Sequence, residues 1–336
     1  MKAQTSVCQL LDRQSMDYRG WWWVAPPQDE WLLATGGGVL TGDQGVLDTW
    51  RASGGSASSA LSTEPLGEIP GVVLFWPKSH ALGEWWLLAL CERLPVGTPL
   101  QVVGENQGGV KRVLKVLAAL GLGCRKRDSA RRCSLFETRL DRVSVAADAA
   151  WQTFEAEHLT LASHPGVFGH GKLDDGTRLL LSTLDAYLPD ATRSVLDLGC
   201  GDGVIGAWLA SRGADVTLVD INLFAVEAAR RTLAINDLQG EALPSDVYSA
   251  LEDRRFDMIV TNPPFHQERR IDYGHTARLI QEAPSHLASG GQLLMVANAF
   301  LPYPDLLEST FGKFEIVADD RRYRVYRVVL SERDAM

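Results

Sequence analysis

From residue 194 onward the chain alternates short β-rich runs with helical stretches, and this alternation restricts the fold more than any other feature. The β-rich runs fall at 194–198, 215–220, 256–261 and 292–298, with helical stretches at 204–212, 223–236 and 277–287 between them. Strands that alternate with helices build a mostly parallel sheet covered on both faces. Two further β-rich runs, 314–318 and 323–330, lie only a few residues apart and predict an antiparallel edge hairpin.

At 336 residues, 46% of them hydrophobic, the chain suits two domains, each able to bury a core. The boundary is expected at 150/151, inside the stretch 142–158, where a basic strand-like run gives way to a helix-prone AADAAWQTFEAEHL segment. The Gly/Ser-rich stretch 52–59 reads as a loop. The first half echoes the second: strand 72–76, Pro77, an apolar helix 83–93, then strand 100–103. That order resembles strand 256–261, Pro263-Pro264, helix and strand 292–298. The first half has no glycine loop with acids like 197–203, so a cofactor site there is expected to be lost.

The five cysteines, Cys8, Cys91, Cys124, Cys133 and Cys200, show no C-x-x-C spacing. Zinc and a disulfide framework are therefore not expected, and a reducing, cytoplasmic setting is. No apolar run approaches a membrane span. A formal net charge of −9 argues at first against a nucleic-acid partner. The charge is unevenly spread, however: residues 1–150 hold 16 basic and 15 acidic residues, leaving 17 and 27 for the rest. Between Lys111 and Arg132 stand Lys111, Arg112, Lys115, Arg125, Lys126, Arg127, Arg131 and Arg132 against the single acid Asp128. This run, and Arg321, Arg322, Arg324 and Arg327, could track phosphates or form solvated basic faces.

Residues 195–206 read VLDLGCGDGVIG. A strand carrying Asp197 runs into Gly199, Cys200, Gly201 and Gly203, and a helix follows. Glycines there allow a tight turn and close approach of a ligand to the helix N-terminus. Gly201, Gly203 and Gly206 also satisfy the dinucleotide spacing. A pyrophosphate would, however, be repelled by Asp197 and Asp202, whereas the ammonium and sulfonium of S-adenosylmethionine would be attracted. Asp220, at the end of the next strand, is placed to accept from ribose hydroxyls, and Asp246 to meet the adenine amine; either acid could instead cap a helix.

The strand at 256–261 ends in Asn262-Pro263-Pro264-Phe265. Proline lacks an N–H and fixes φ, so the turn is stiff and presents acceptors. An exocyclic amine has two hydrogens and a delocalised lone pair. Accepting those hydrogens at Asn262 and the Pro263 carbonyl would return electron density to nitrogen. Phe265 would stack on a base drawn out of its helix. The pattern predicts methylation of an amino group. Adenine N6 and a glutamine amide remain open, as does an RNA-binding assembly factor without catalysis.

The segments HPGVFGHGKLDDGTRLLLSTL (164–184), VLDLGCGDGVIG, FDMIVTNPPFH, VANAFLPYPDLLESTFG (296–312) and RRYRVYRVVL together resemble the bacterial 16S rRNA guanine-N2 methyltransferase family, RsmC. The resemblance implies two tandem Rossmann-like α/β domains. The first, 1–150, would be degenerate and serve RNA contact or support. The second, 151–336, would be catalytic with a mostly parallel seven-stranded sheet. It further implies use of S-adenosylmethionine to methylate guanine 1207 of 16S rRNA in the 30S subunit; a monomer without metal is expected. The sister family that acts on 23S rRNA is the nearest alternative. His164, Phe168 and Asp174 would border the cleft.

Overall fold

In a computed structural model the chain is described over residues 2–188, 194–263 and 273–331. Two compact units meet at Trp151/Gln152. The first unit contains β1 (Trp22–Val24), β2 (Gly38–Thr41), β3 (Ser56–Ser59), β4 (Val72–Phe75), β5 (Pro99–Glu105), β6 (Arg125–Ala130) and β7 (Cys133–Arg139). These strands form one sheet in the order β3-β2-β1-β4-β5-β7-β6, with β7 antiparallel to both its neighbours. Ser56–Ser59 is a parallel edge strand rather than the loop its Gly/Ser composition predicts, because its backbone completes the ladder to β2.

The second unit opens with a hairpin of β8 (Gln152–Ala156) and β9 (Leu159–Ser163), where a helix-prone segment is expected from sequence. Leu159 and Leu161 are buried, and the amide of Asn236 holds both the N–H and the carbonyl of Thr160. This tertiary contact overrides local propensity. Then come β10 (Ser194–Leu198), β11 (Asp215–Asp220), β12 (Glu241–Pro244), β13 (Phe256–Thr261), β14 (Leu287–Asn298), β15 (Glu315–Asp319) and β16 (Tyr323–Val329). Their order is β12-β11-β10-β13-β14-β16-β15, and β16 runs antiparallel to β14 and β15. The two sheets thus repeat one strand order. No helix among the described residues is long and apolar enough to cross a membrane.

Strands buried on both faces alternate their side chains between two cores. Val195, Val216, Leu218, Met258, Val260, Leu294 and Val296 pack on one side with the helices Asp175–Tyr187, Val204–Ala210 and Leu223–Ile235. Leu196, Leu198, Val219, Ile259, Leu293 and Met295 pack on the other with Tyr273–His286 and Tyr303–Phe311. The same alternation sends Asp197, Asp220 and Asn262 to the first side, at the carboxyl ends of β10, β11 and β13.

Two glycines let that side close. Gly203 has φ +81°, and a Cβ there would stand 2.8 Å from the Ala229 Cα. At Gly206 a Cβ would meet the buried Leu218 Cδ2 at 2.3 Å. Gly203→Ala combines left-handed strain with a backbone clash, and should destabilise the protein by about 2–5 kcal/mol. Gly206→Ala meets a side chain and gains helix propensity, so its loss should be smaller, about 1–2 kcal/mol. Urea unfolding of the two variants measures both; equal losses would contradict this packing.

Candidate active site

In an open α/β sheet, ligands bind beyond the carboxyl ends of the strands where the strand order reverses. Here that point lies between β10 and β13, and the two motifs emerge on either side of it. Gly199, Gly201 and Gly203 all have positive φ. The N–H groups of Gly199 and Cys200 donate to the Val219 carbonyl at 2.8 and 3.0 Å. Asp220 ties the turn to β11, one carboxylate oxygen accepting from Gly201 N at 3.1 Å and the other from Asn222 N at 2.9 Å. A Cβ at Gly199 or Gly201 would meet nothing within 4 Å among the described residues, which leaves room beside the turn for a ligand.

Asp197 is 1% exposed. Its Oδ2 accepts from Gly206 N at 2.8 Å, at the start of the helix Val204–Ala210. Its Oδ1 is buried and has no hydrogen-bond partner among the described residues. Burial, with Asp202 and Asp220 nearby, pushes its carboxyl up to about 7. Burial likewise pushes Asp202 up to about 7, and the Cys200 thiol rises for the same reason beside these acids. A site that holds three carboxylates and an unpartnered buried oxygen is built to receive positive charge. Among the described residues no group of His, Cys, Asp and Glu could hold a metal ion.

Asn262 Nδ2 donates to Asp174 Oδ2 at 3.1 Å and reaches Thr177 Oγ1 at 2.8 Å. Its Oδ1 is buried without a hydrogen-bond partner among the described residues. Pro263 is buried beside it, while Pro264 and Phe265 lie outside the described residues. Thr177 is a site residue that motif reading misses. The available signal is the Asp174-x-x-Thr177 spacing, with Asp174 capping the helix by accepting from Thr177 N at 3.1 Å.

Other candidates are placed differently from expectation. His164 is 0% exposed, stacks on Phe224 with ring centroids 4.5 Å apart, and accepts from Gly166 N at 3.0 Å. Burial, then the charges of His170 and Arg231, pull its ring down to about 3. Its ring straps 164–166 to the helix Leu223–Ile235, a packing role where substrate contact is expected from sequence. Phe168, on the same segment, is 72% exposed. Asp246 Oδ2 is paired with Arg278 at 3.0 Å and Oδ1 lies 3.6 Å from His275, both on the helix Tyr273–His286, while Oδ1 is buried with no hydrogen-bond partner among the described residues. In the basic run, Lys111, Arg112 and Lys126 are exposed. Arg125 and Arg127, by contrast, both pair with Glu137 across the ladder, so the run carries less free charge than its sequence implies. At the other cluster, Arg322, Arg324 and Arg327 pair with Asp175, Asp319 and Glu315.

The ladder registers allow the two sheets to be equated residue by residue. Val24 pairs with Leu40 and Leu74 as Leu198 pairs with Val219 and Thr261. Trp23 then stands where the second unit has Asp197, Thr41 where it has Asp220, and Phe75 where it has Asn262. Ala25-Pro26-Pro27-Gln28-Asp29 replaces Gly199 to Gly203. Trp23 is wholly buried, with Nε1 donating to the Leu32 carbonyl at 3.0 Å.

Comparison with known proteins agrees with this layout. The methyltransferase small domain model matches residues 158–327, and its N-terminal companion matches 51–154. A protein of Chromohalobacter salexigens named ribosomal RNA small subunit methyltransferase C is 60% identical over 334 residues, covering 99% of this chain and 100% of its own. The chain belongs to the ribosomal RNA small subunit methyltransferase C family. A Klebsiella pneumoniae member of the family is 44% identical over 79% of this chain and 77% of its own. Among solved structures, a Thermus thermophilus 16S rRNA N2 G1207 methyltransferase, in complex with AdoMet and guanosine, matches with a TM-score of 0.85. That match has 29% identity over 97% of this chain and 92% of that one. The family membership assigns methyl transfer to a chain whose acid-lined glycine turn and Asn262 lie on the second sheet.

Proposed function

We propose that the second unit methylates the N2 amine of guanine 1207 in 16S rRNA, the reaction named for the Thermus thermophilus relative, and that it does so in the 30S subunit. The observation that carries this reading is Asn262: its amide is fixed by Asp174 and Thr177, and its Oδ1 is buried and unpartnered among the described residues at the switch point. Such an oxygen needs a donor, and an exocyclic amine supplies one.

The acid-lined turn fits S-adenosylmethionine. Asp197 Oδ1, without a partner, is suited to its ammonium, and Asp220 to its ribose hydroxyls. The space over Gly199 and Gly201 admits a close ligand. When bound, the donor supplies an electrophilic methyl group. Asn262 Oδ1 and the Pro263 carbonyl accept the two amine hydrogens, which opposes delocalisation of the nitrogen lone pair into the ring. Methyl transfer would release the donor as a neutral thioether and leave the amine nitrogen positively charged and acidic, so its proton can leave to water and no strong base has to stand nearby. Exclusion of phosphate follows from the same carboxylates. Asp246, with Oδ2 held by Arg278 and Oδ1 without a hydrogen-bond partner among the described residues, is suited to the adenine amine.

The first unit, with Trp23, Thr41 and Phe75 at the equivalent positions, lacks the acids and amide needed for this chemistry. Its part is support and RNA contact, through exposed residues such as Lys111, Arg112 and Lys126.

The test uses tritiated donor with 30S subunits from cells lacking this gene, set against 50S subunits, duplex DNA and a glutamine-bearing protein substrate. The expected result is transfer to 30S, mapped by mass to N2 of a single guanine. Label appearing on 50S, DNA or the glutamine amide, with none on 30S, rejects the assignment.

A further inference from the structure

We infer that Asp174 and Thr177 are positioning residues that fix which end of the Asn262 amide faces the substrate. The inference rests on the reading of Asn262 as the acceptor for the reacting amine and adds what determines its orientation.

An asparagine amide has two ends of nearly equal size, one donating and one accepting. Turned by 180° about its last bond, Asn262 would present an N–H pair to the substrate amine. Two donors would then face each other and the site would not accept. Sterics alone choose poorly between these states, so hydrogen-bond partners must choose.

Asp174 makes the choice. Its carboxylate is an acceptor only, so the atom facing it at 3.1 Å must be Nδ2. Thr177 Oγ1 takes the second N–H at 2.8 Å. Both protons of the amide are thereby used, and Oδ1 alone is left, buried, on the other side. The carboxylate is itself held in place, because Asp174 Oδ2 also accepts from Thr177 N at 3.1 Å as the N-cap of the helix Asp175–Tyr187. One turn of helix thus carries both partners, and the end of β13 carries the amide 85 and 88 residues away in sequence. Nδ2 protons shared with a carboxylate also polarise the amide, which makes Oδ1 a stronger acceptor.

The discriminating substitution is Asp174→Asn. Asparagine is as good an N-cap as aspartate, so the helix end is kept. The acceptor-only character is lost, and the new amide can satisfy either end of Asn262. Thr177→Val removes the second acceptor without changing shape. The expected outcome for Asp174→Asn is a loss of kcat of about tenfold or more, the size of one hydrogen bond to a charged group. KM for 30S subunits and Kd for the methyl donor should stay within about twofold. Thr177→Val should lose a few-fold in kcat, and the double variant no more than slightly beyond Asp174→Asn, since the two act on one amide.

A second readout is independent of turnover. In 15N-edited NMR spectra of donor-free full-length protein, the side-chain amide of Asn262, assigned by its loss in Asn262→Ala, should show a hydrogen-bonded pair protected from exchange. Asp174→Asn and Thr177→Val should each weaken that protection. Wild-type kcat in Asp174→Asn, or an unchanged Asn262 amide signal in both variants, overturns the positioning role. Either result leaves the proposed reaction intact as long as wild-type protein still methylates 30S subunits. Absence of methylation by wild-type protein with the amide signature present rejects the substrate reading instead.

Discussion

Asn262→Ala is expected to lower kcat for methyl transfer by about 10²–10³, the loss seen when a preorganised hydrogen-bonding group at a reacting centre is removed. The Kd for the donor should change by less than threefold, because the acids proposed to meet the donor are Asp197 and Asp220, which hold the glycine turn at Gly206 N and Gly201 N, rather than Asn262. The geometry makes a sharper comparison possible. Asn262→Asp keeps an oxygen in place and would be tolerated if any acceptor sufficed. An ionised carboxylate at this position cannot donate to Asp174 and would stand about 3 Å from a like charge. It should therefore turn away or take up a proton, and lose about as much activity as alanine. Single-turnover kinetics with saturating donor separate the chemical step from binding. An Asn262→Asp variant with more than a tenth of wild-type activity would show that the amide's orientation is not what the site requires.

The parts of the fold legible in the sequence are those in which one local signal is unopposed. β10, β11 and β13 are buried on both faces, so apolar residues line both, and their ends are marked by glycine, Asp220 and proline. Ser56–Ser59 has no such signal. It is a four-residue edge strand of small polar residues, and only its pairing with β2 makes it a strand. Gln152–Ala156 carries helix formers yet lies in a hairpin, held through the partner strand by Thr232 and Asn236 from a helix about 75 residues on. The site divides the same way. Asp197 and Asn262 are visible because glycine and proline flank them. The Asp174–Asn262 contact joins residues 88 apart, and no spacing rule reports it. Free charge is overcounted in the sequence for a related reason: Glu137 stands opposite Arg125 in the ladder but 12 residues away in the chain. His164 sits in a motif that borders the cleft, and only its stacking on Phe224 reveals that it faces inward.

Donor affinity should rise with pH between about 5.5 and 7, and Asp197 should govern much of that rise. With no ligand, burial holds Asp197 and Asp202 at about 7, against an ordinary value of 3.8. The native state therefore binds more protons than the unfolded state between these values. By linkage, the stability of the donor-free protein falls as pH climbs from about 4 to about 7. A ligand that brings positive charge favours the ionised carboxylates. Its binding should then expel protons below pH 7, and Kd should tighten by up to about tenfold per pH unit for each carboxylate that must ionise. The stabilisation conferred by donor should grow across the same window that weakens the free protein. Asp197→Asn keeps an acceptor for Gly206 N but removes the charge. Leaving a ligand cation without its buried partner costs about 2–5 kcal/mol, so Kd at pH 7 should weaken by at least about thirtyfold. The residual pH dependence, now due to Asp202, should be shallower. Calorimetric titration in two buffers of different ionisation enthalpy measures both the affinity and the protons released. A Kd that is flat from pH 5.5 to 7, or an Asp197→Asn variant binding within threefold of wild type, would mean that these carboxylates do not face the donor's charge.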